Sequence, residues 1–195
     1  MFRTLSASGE GFYKEKGSKF LGYAYPCSGT DQVKIHLDRL RKENPGCVHV
    51  CYAYCLGSKK EAYRYSDDGE PSNSAGAPIY GQIKSLDLTN VLVAVVRYYG
   101  GTNLGVGGLI NAYRTAAKEA FENAKIIEDE DRNQIEVHFT YEAMPFVMNV
   151  VKASDCKILE QDFNENPKLI LSIPVSNSEL IHALEKIESV MIDNL

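Results

Sequence analysis

Residues 91–124, VLVAVVRYYGGTNLGVGGLINAYRTAAKEAFENA, contain the clearest structural pattern of this chain. The continuous apolar run from Val91 to Val96 predicts a strand that is covered on both faces of its sheet. A glycine-rich loop follows, and then apolar side chains recur every 3.6 residues, which predicts a helix that starts near Leu109. The many alanines of this helix predict close packing against the sheet. The glycines of the loop are Gly100, Gly101, Gly105, Gly107 and Gly108.

The glycine-rich loop is typical of an anion-binding site. Glycine lets the backbone adopt positive φ and approach a ligand closely, and the N–H groups at the start of a helix favour a phosphate. Arg97, at the end of the strand, and Arg114, in the helix, would add positive charge. The alternative is that the glycines only form a tight connection from strand to helix, and the sequence leaves both interpretations open.

A second polar loop, over residues 64–78, precedes this stretch and is acidic. Its candidate functional residues are Asp67, Asp68, Glu70 and Ser72. Carboxylate oxygens are ligands that Mg²⁺ prefers, whereas Asp-Asp-Gly sequences commonly form turns in which the Asp side chains bind backbone amides. If the two loops face each other, acids beside an anion site would require a bridging metal. We predict no metal and no cofactor, with Mg²⁺ at this loop as the alternative.

The remainder of the first 127 residues is predicted to alternate strands and helices. Residues 2–26 predict two strands around Gly9–Gly11, and Thr30 or Asp31 would cap a helix that Asn44 ends. A buried strand is expected at 47–56, and a further helix is expected to begin within 79–83.

The cysteines and His49 of the strand at 47–56 would share one face, because strand side chains alternate. Cys47 and Cys51 would lie about 13 Å apart, which is too far for one zinc ion or a disulfide. We therefore interpret these thiols as small buried hydrophobic groups. A thiol nucleophile paired with His49 is the alternative.

An acidic run at 128–131 separates a second predicted domain, residues 133–195, from the first, residues 1–127. Strands are predicted at 134–140, 156–163, 168–175 and 190–192, with helices at 142–153 and after Ser176 or Asn177. This β-α-β-β-α-β order is typical of a ferredoxin-like sandwich. No cluster of residues in this part suggests catalysis.

Composition and charge limit the class of protein. The 195 residues are 44% hydrophobic and 24% charged, as in an ordinary globular protein. No apolar run is long enough to cross a bilayer, and residues 1–12 lack a signal-peptide pattern, so we expect a cytoplasmic protein with reduced cysteines. Residues 1–126 hold 16 basic against 12 acidic side chains, whereas residues 127–195 hold 5 against 14. This division favours two units with different partners.

The two polar loops together resemble those of the IMPACT/YigZ family, in its compact form. The acidic loop is similar over Ser66–Ser72, Ala75-Gly76 and Pro78-Ile79, and the glycine loop over Arg97–Gly101, Leu104-Gly105, Gly107–Leu109 and Ala112-Tyr113. Weaker similarities lie at Lys16–Phe20, His49 and Cys51–Ala53. The resemblance spans the whole chain.

The resemblance implies an α+β fold built of two-layer α/β sandwiches. Its first domain would be similar to domain IV of elongation factor G and to a ribosomal-protein superfold, and its second would be ferredoxin-like. Eukaryotic members of the family regulate translation and possess an additional amino-terminal domain, which we do not expect here. Asn111 and Val50 stand where the family commonly has Arg and Asn, and Asn73-Ser74 replaces Gly-Thr.

We therefore expect a non-catalytic protein that associates with RNA or the ribosome and binds an anionic ligand at the glycine loop. Two alternatives remain. One is a phosphoryl-transfer enzyme, because small-molecule kinases of a related fold also use glycine-rich loops. The other is a protein-interaction scaffold in which the acidic second domain binds a basic partner.

Overall fold

The computed structural model describes all of residues 1–195 and divides them into two units, Met1–Asp129 and Glu130–Leu195. The first unit comprises β1 (Phe2–Ala7), β2 (Gly9–Glu15), β3 (Ser18–Pro26), α1 (Thr30–Glu43), β4 (His49–Leu56), β5 (Ala62–Ser66), α2 (Gly76–Ser85), β6 (Val91–Tyr98), α3 (Gly105–Glu122) and β7 (Lys125–Asp129). The second comprises β8 (Arg132–Phe139), α4 (Met144–Lys152), β9 (Lys157–Asp162), β10 (Lys168–Pro174), α5 (Ser178–Glu185) and β11 (Val190–Asn194). No helix of the chain has the length and apolar character needed to span a membrane.

The first unit is built on an antiparallel five-stranded sheet in the order β2-β3-β6-β4-β5. The central strand β6 is buried from Val91 to Arg97, which confirms the prediction that both of its faces are covered. Helices α2 and α3 pack on one face, whereas α1 packs on the other through Val33 and Leu40. This unit therefore has helices on both faces of its sheet rather than the two layers that were predicted. The mixed α+β class is confirmed.

Helix α3 lies unusually close to β2 and β3, as its alanine content predicted. A Cβ atom added to Gly22 would stand 2.2 Å from the carbonyl oxygen of Ala116. A Cβ atom added to Gly11 would stand 2.5 Å from the backbone nitrogen of Ala120. Only glycine on the strands leaves room for the helix backbone at this distance.

The amino-terminal segment differs from its prediction because it forms three strands instead of two. Gly9 and Gly11 lie within β2, where they make room for α3, and the hairpin turn is formed by Lys16 and Gly17. Strand β1 pairs with β7 in antiparallel orientation, with Phe2 opposite Asp129. The first two residues of the acidic run therefore belong to a strand, and the first unit extends to Asp129 instead of ending at 127.

Three helices begin earlier than predicted. Helix α2 begins at Gly76, and its Pro78 is accommodated because the first turn of a helix needs no proline N–H. Helix α3 begins at Gly105 rather than near Leu109. Helix α1 begins at Thr30, so Gly29 occupies the cap position in place of Thr30 or Asp31. Strand β5 occupies the start of the predicted acidic loop.

The second unit has the predicted β-α-β-β-α-β element order. Its four strands form an antiparallel sheet in the order β11-β8-β10-β9. Ile135, Val137 and Phe139 face a separate core beneath α4 and α5, as their alternation predicted. Asn177 caps α5 by accepting a hydrogen bond from the N–H of Leu180.

Candidate functional site

The acidic loop and the glycine loop meet at a cleft of about 380 Å³ in the first unit. Glu70 and Pro71 line it from the acidic loop, and Arg97 lines it from the end of β6. Residues 103–106, at the start of α3, and Leu109 complete the lining. The cleft brings together the two loops that the sequence singled out.

Glu70 is the central polar group of this cleft. Its side chain is only 4% exposed, and Oε1 accepts hydrogen bonds from Arg97 Nη1 at 2.5 Å and from the Tyr113 hydroxyl at 2.7 Å. Nε2 of His49 lies 3.9 Å from the same oxygen. Burial, together with Cys51 and Glu70 nearby, raises the pKa of the Tyr113 hydroxyl, so that it remains a hydrogen-bond donor. The acidic and basic groups of the two loops therefore bind each other directly.

Arg97 lies at the base of the cleft and is 5% exposed. Its guanidinium carbon stands 5.5 Å from the ring centroid of Phe20 and 5.6 Å from that of Tyr99. One terminal nitrogen binds Glu70, but the buried Nε has no hydrogen-bond partner. Arg132 in the second unit likewise has a buried Nε without a partner.

The five predicted glycines have different roles. Gly101 and Gly105 adopt positive φ, at 85° and 72°, so each position favours glycine. Gly100 contacts the hairpin turn between β2 and β3, where an added Cβ would stand 2.0 Å from the carbonyl carbon of Gly17. Gly107 and Gly108 lie in the first turns of α3 instead of in the loop.

The start of α3 has no side-chain cap. The first N–H groups of a helix have no partner within the helix, so those of residues 105–107 lie beside the cleft without an intrahelical partner. Arg114, the second predicted cation, is exposed further along α3. Asn111, at the position where the family commonly has Arg, donates from Nδ2 to the Tyr13 hydroxyl at 3.2 Å.

Asp67 and Asp68 stabilise the acidic loop. Asp67 accepts hydrogen bonds from the backbone N–H groups of Asn73, Ala75 and Gly76, and so caps the start of α2. Asp68 accepts from the N–H of Val50 at 2.7 Å and from Arg41 at 2.8 Å.

These hydrogen bonds are those expected if the acidic loop is a turn whose Asp side chains bind backbone amides. Both aspartates are therefore already hydrogen-bonded within the protein. The side chain of Ser72 accepts a long bond, 3.4 Å, from Asn73. No group of three His, Cys, Asp or Glu side chains in the chain has the geometry of a metal site.

The cysteines do not share one strand face as predicted. Strand β4 begins only at His49, so Cys47 precedes it and packs with the core beneath α1, whereas Cys51 and Cys55 face α2 and α3. All five cysteines of the chain are free. Burial raises the pKa of Cys51, whose thiol donates to the carbonyl oxygen of Asp67. A protonated, buried thiol is a poor nucleophile, so the geometry does not favour the pairing with His49.

Three exposed lysines next to the glycine loop were not among the predicted site residues. Lys14, Lys16 and Lys19 lie on the hairpin of β2 and β3, and none of them forms an ion pair. The hairpin is held against the glycine loop by Ser18, a buried residue whose hydroxyl accepts from the N–H of Gly100 at 3.1 Å. The similarity at Lys16–Phe20 pointed to this hairpin, but its contact with Gly100 becomes apparent only in the fold.

Comparison with known proteins identifies the family. The model of the Impact N-terminal domain matches residues 16–121. An IMPACT family member of Haemophilus influenzae is 32% identical over 163 residues, which cover 81% of this chain and 78% of that protein. The Escherichia coli family member YigZ is 27% identical over 163 residues, covering 83% and 80% respectively.

One solved structure has the same fold over the full length of the chain. This crystal structure of a hypothetical protein matches with a TM-score of 0.74 and 24% identity, over 100% of this chain and 97% of that one. The matched domain model includes both the acidic loop and the glycine loop, and the sequence matches extend over most of the chain. This chain therefore belongs to the IMPACT family.

Proposed function

We propose that this protein is a non-catalytic, RNA- or ribosome-associated regulator of translation that binds a phosphate group at the cleft between its two loops. The observation that supports this proposal best is the start of α3, which has no side-chain cap and lines the cleft together with Arg97.

The electrostatics of the cleft favour an anion that contacts the backbone. The helix dipole places partial positive charge at the N–H groups of residues 105–107. Glu70 neutralises much of the charge of Arg97, so Arg97 adds little net charge to the cleft. The loop then selects a phosphate through geometry rather than through a large local charge.

The lysines of the β2–β3 hairpin extend this surface for a polyanion. Lys14, Lys16 and Lys19 are exposed and adjoin Gly100 through the contact of that residue with Gly17. An extended phosphate backbone that has one phosphate in the cleft could contact these side chains with its neighbouring phosphates. Such contacts release counterions and make binding weaken steeply with salt.

Family membership supports the proposed role in translation. Eukaryotic members of the family regulate translation. We further propose that the first unit is related in fold to domain IV of elongation factor G, and that the second unit, with strand order β11-β8-β10-β9, is ferredoxin-like. Shared fold alone does not establish function, so the cleft has to be tested directly.

The test uses fluorescence anisotropy of labelled single-stranded RNA with Val106→Glu and its neutral match, Val106→Gln. Val106 lines the cleft and is 53% exposed, so both variants should fold. A carboxylate near a bound phosphate should weaken binding roughly five- to tenfold at low salt, as expected for like charges a few ångströms apart near a protein surface. Val106→Gln should bind nearly as well as the original protein.

Equal binding by both variants would remove the cleft from the RNA interface. An original protein that binds no RNA at low or moderate salt would overturn the RNA proposal altogether, and a small phosphorylated ligand or a protein partner would then replace RNA as the hypothesis.

A further inference from the structure

A cluster of three tyrosines lies at the edge strand β5 and the neighbouring helix α2. The ring of Tyr80 is nearly parallel to that of Tyr63, with centroids 5.0 Å apart and planes 10° apart. It is also stacked with Tyr65, at 5.8 Å and 23°. Tyr63 and Tyr65 face the same side of the sheet because their cross-strand partners, Cys55 and Ala53, both belong to the core beneath α2.

The tyrosine cluster is open to solvent. Tyr63 is 58% exposed and Tyr65 is 41% exposed, although both are large aromatic residues. Strand β5 is the last strand of its sheet, so no further strand covers it. On α2, a Cβ atom added to Gly81 would meet no atom within 4 Å, which leaves the helix surface beside Tyr80 accessible.

Unpaired basic side chains border the tyrosine cluster. Lys84 follows Tyr80 by four residues and therefore lies on the same face of α2. Lys59 precedes β5, whereas Arg64, between Tyr63 and Tyr65, points to the opposite face of the sheet because strand side chains alternate. All three cations are exposed and form no ion pair. Lys60, in contrast, forms an ion pair with Asp87.

We infer that the tyrosine cluster is a stacking platform for unpaired bases of single-stranded RNA, with Lys84 binding an adjoining phosphate. Aromatic rings stack on any base, and flanking cations track the backbone. The charge at the border favours a polyanion over an apolar peptide. This inference rests on the proposed RNA association and adds a second contact surface, which recognises bases where the cleft recognises phosphate.

The platform is tested with a labelled oligouridine of about 12 nucleotides and an abasic oligomer of the same length and charge. The variant Tyr63→Leu/Tyr65→Leu should bind oligouridine roughly tenfold more weakly, the loss expected for stacked bases. Its affinity for the abasic oligomer should be unchanged. The matched variant Tyr63→Phe/Tyr65→Phe keeps the rings and should retain both affinities. Circular dichroism of both variants confirms the fold.

A second measurement separates the cations from the rings. Lys84→Gln should reduce the slope of log K against log salt by about 0.7, whereas Arg64→Gln, on the opposite face of the sheet, and the tyrosine variants should leave that slope unchanged. Unchanged oligouridine binding by the leucine variant, or an equal loss for both oligomers, would overturn the platform.

The cleft variant distinguishes this inference from the proposed function. Val106→Glu should weaken binding of both oligomers, because each contains phosphates. If it does so while the leucine variant is unaffected, only the platform is wrong. If the leucine variant alone loses affinity, the platform stands and the cleft is not an RNA site. Absence of all RNA binding would overturn both.

Discussion

The buried pair of Glu70 and Arg97 joins the acidic loop to the end of β6, and it does so in a part of the molecule with little access to water. Both side chains are less than 10% exposed, at 4% and 7%. Two charges in such an environment stabilise the fold only as a pair, since a single remaining charge pays the full desolvation penalty.

Glu70→Leu should accordingly lower the free energy of unfolding by about 3–5 kcal/mol, measured by urea denaturation. The double variant Glu70→Leu/Arg97→Met should recover part of this loss, because it leaves no uncompensated charge. Arg114→Gln, at an exposed position on α3, serves as a control and should change stability by no more than about 0.5 kcal/mol. If the double variant loses as much unfolding free energy as Glu70→Leu and Arg97→Met lose together as single variants, the charges do not act as a pair.

His36, on α1, offers a pH-dependent prediction. Its ring stacks on Tyr25, with centroids 4.2 Å apart, and Nδ1 lies 3.4 Å from Nη2 of Arg39. Partial burial, and secondarily the charge of Arg39, lower the pKa of His36 below its ordinary 6.5. The unfolded chain then binds the proton more readily than the folded chain, so stability decreases as the pH falls through the ordinary pKa.

This pH dependence can be isolated with His36→Gln. Between about pH 7.5 and pH 5, the original protein should lose more stability than the variant, as measured by urea denaturation at each pH. A His36→Gln profile as steep as the original would assign the pH dependence to other groups.

Among the secondary-structure elements, the contact of α3 with β2 and β3 depends most on glycine. Gly22→Ala would force Cβ toward the carbonyl oxygen of Ala116, and overpacking of this kind destabilises by about 1–3 kcal/mol or more. Gly81→Ala in α2 should have the opposite sign, since its Cβ meets no atom within 4 Å and alanine is the better helix former by about 0.5–1 kcal/mol. Thermal unfolding of the two variants checks both signs, and a neutral Gly22→Ala would contradict the close packing.

The elements that sequence could predict are those whose pattern is local. Strand β6 and helix α3 followed from an apolar run and a 3.6-residue repeat, and the cap at Asn177 from a single side chain. Helix α2 was placed too late because its first turn contains Gly76 and Pro78, which read as a loop, while its N–H groups are satisfied by the distant Asp67.

The two loops of the candidate site were predictable from the sequence, but the contacts between them were not. The sequence singled out Glu70 as a residue of the acidic loop and Arg97 as a residue that would bind an anion. Their direct bond could not be predicted, because it depends on the two loops meeting in the fold. The hairpin lysines were missed for the same reason, because Gly17 contacts Gly100 across more than eighty residues of sequence. Tyr80 belongs to α2 whereas Tyr63 and Tyr65 belong to β5, so the stacking of Tyr80 on the other two rings appears only in the fold.

The whole molecule divides its charge between units that have separate cores. Unit Met1–Asp129 holds 16 basic against 14 acidic side chains, and unit Glu130–Leu195 holds 5 against 12, so their balances are +2 and −7. A negative second unit opposes the approach of RNA, although salt screens this repulsion beyond about 10 Å at 0.1 M.

A fragment of residues 1–129 should therefore unfold cooperatively and bind RNA at least as tightly as the full chain, with the largest gain at low salt. The fragment has to include β7, because β1 pairs with it as far as Asp129; a fragment ending at 124 should be less stable. The two fragments are compared by urea denaturation, and RNA binding by anisotropy, with residues 130–195 as the control. A second unit that binds RNA on its own, or a folded first unit that does not, would place the interface outside the two loops and the tyrosine cluster.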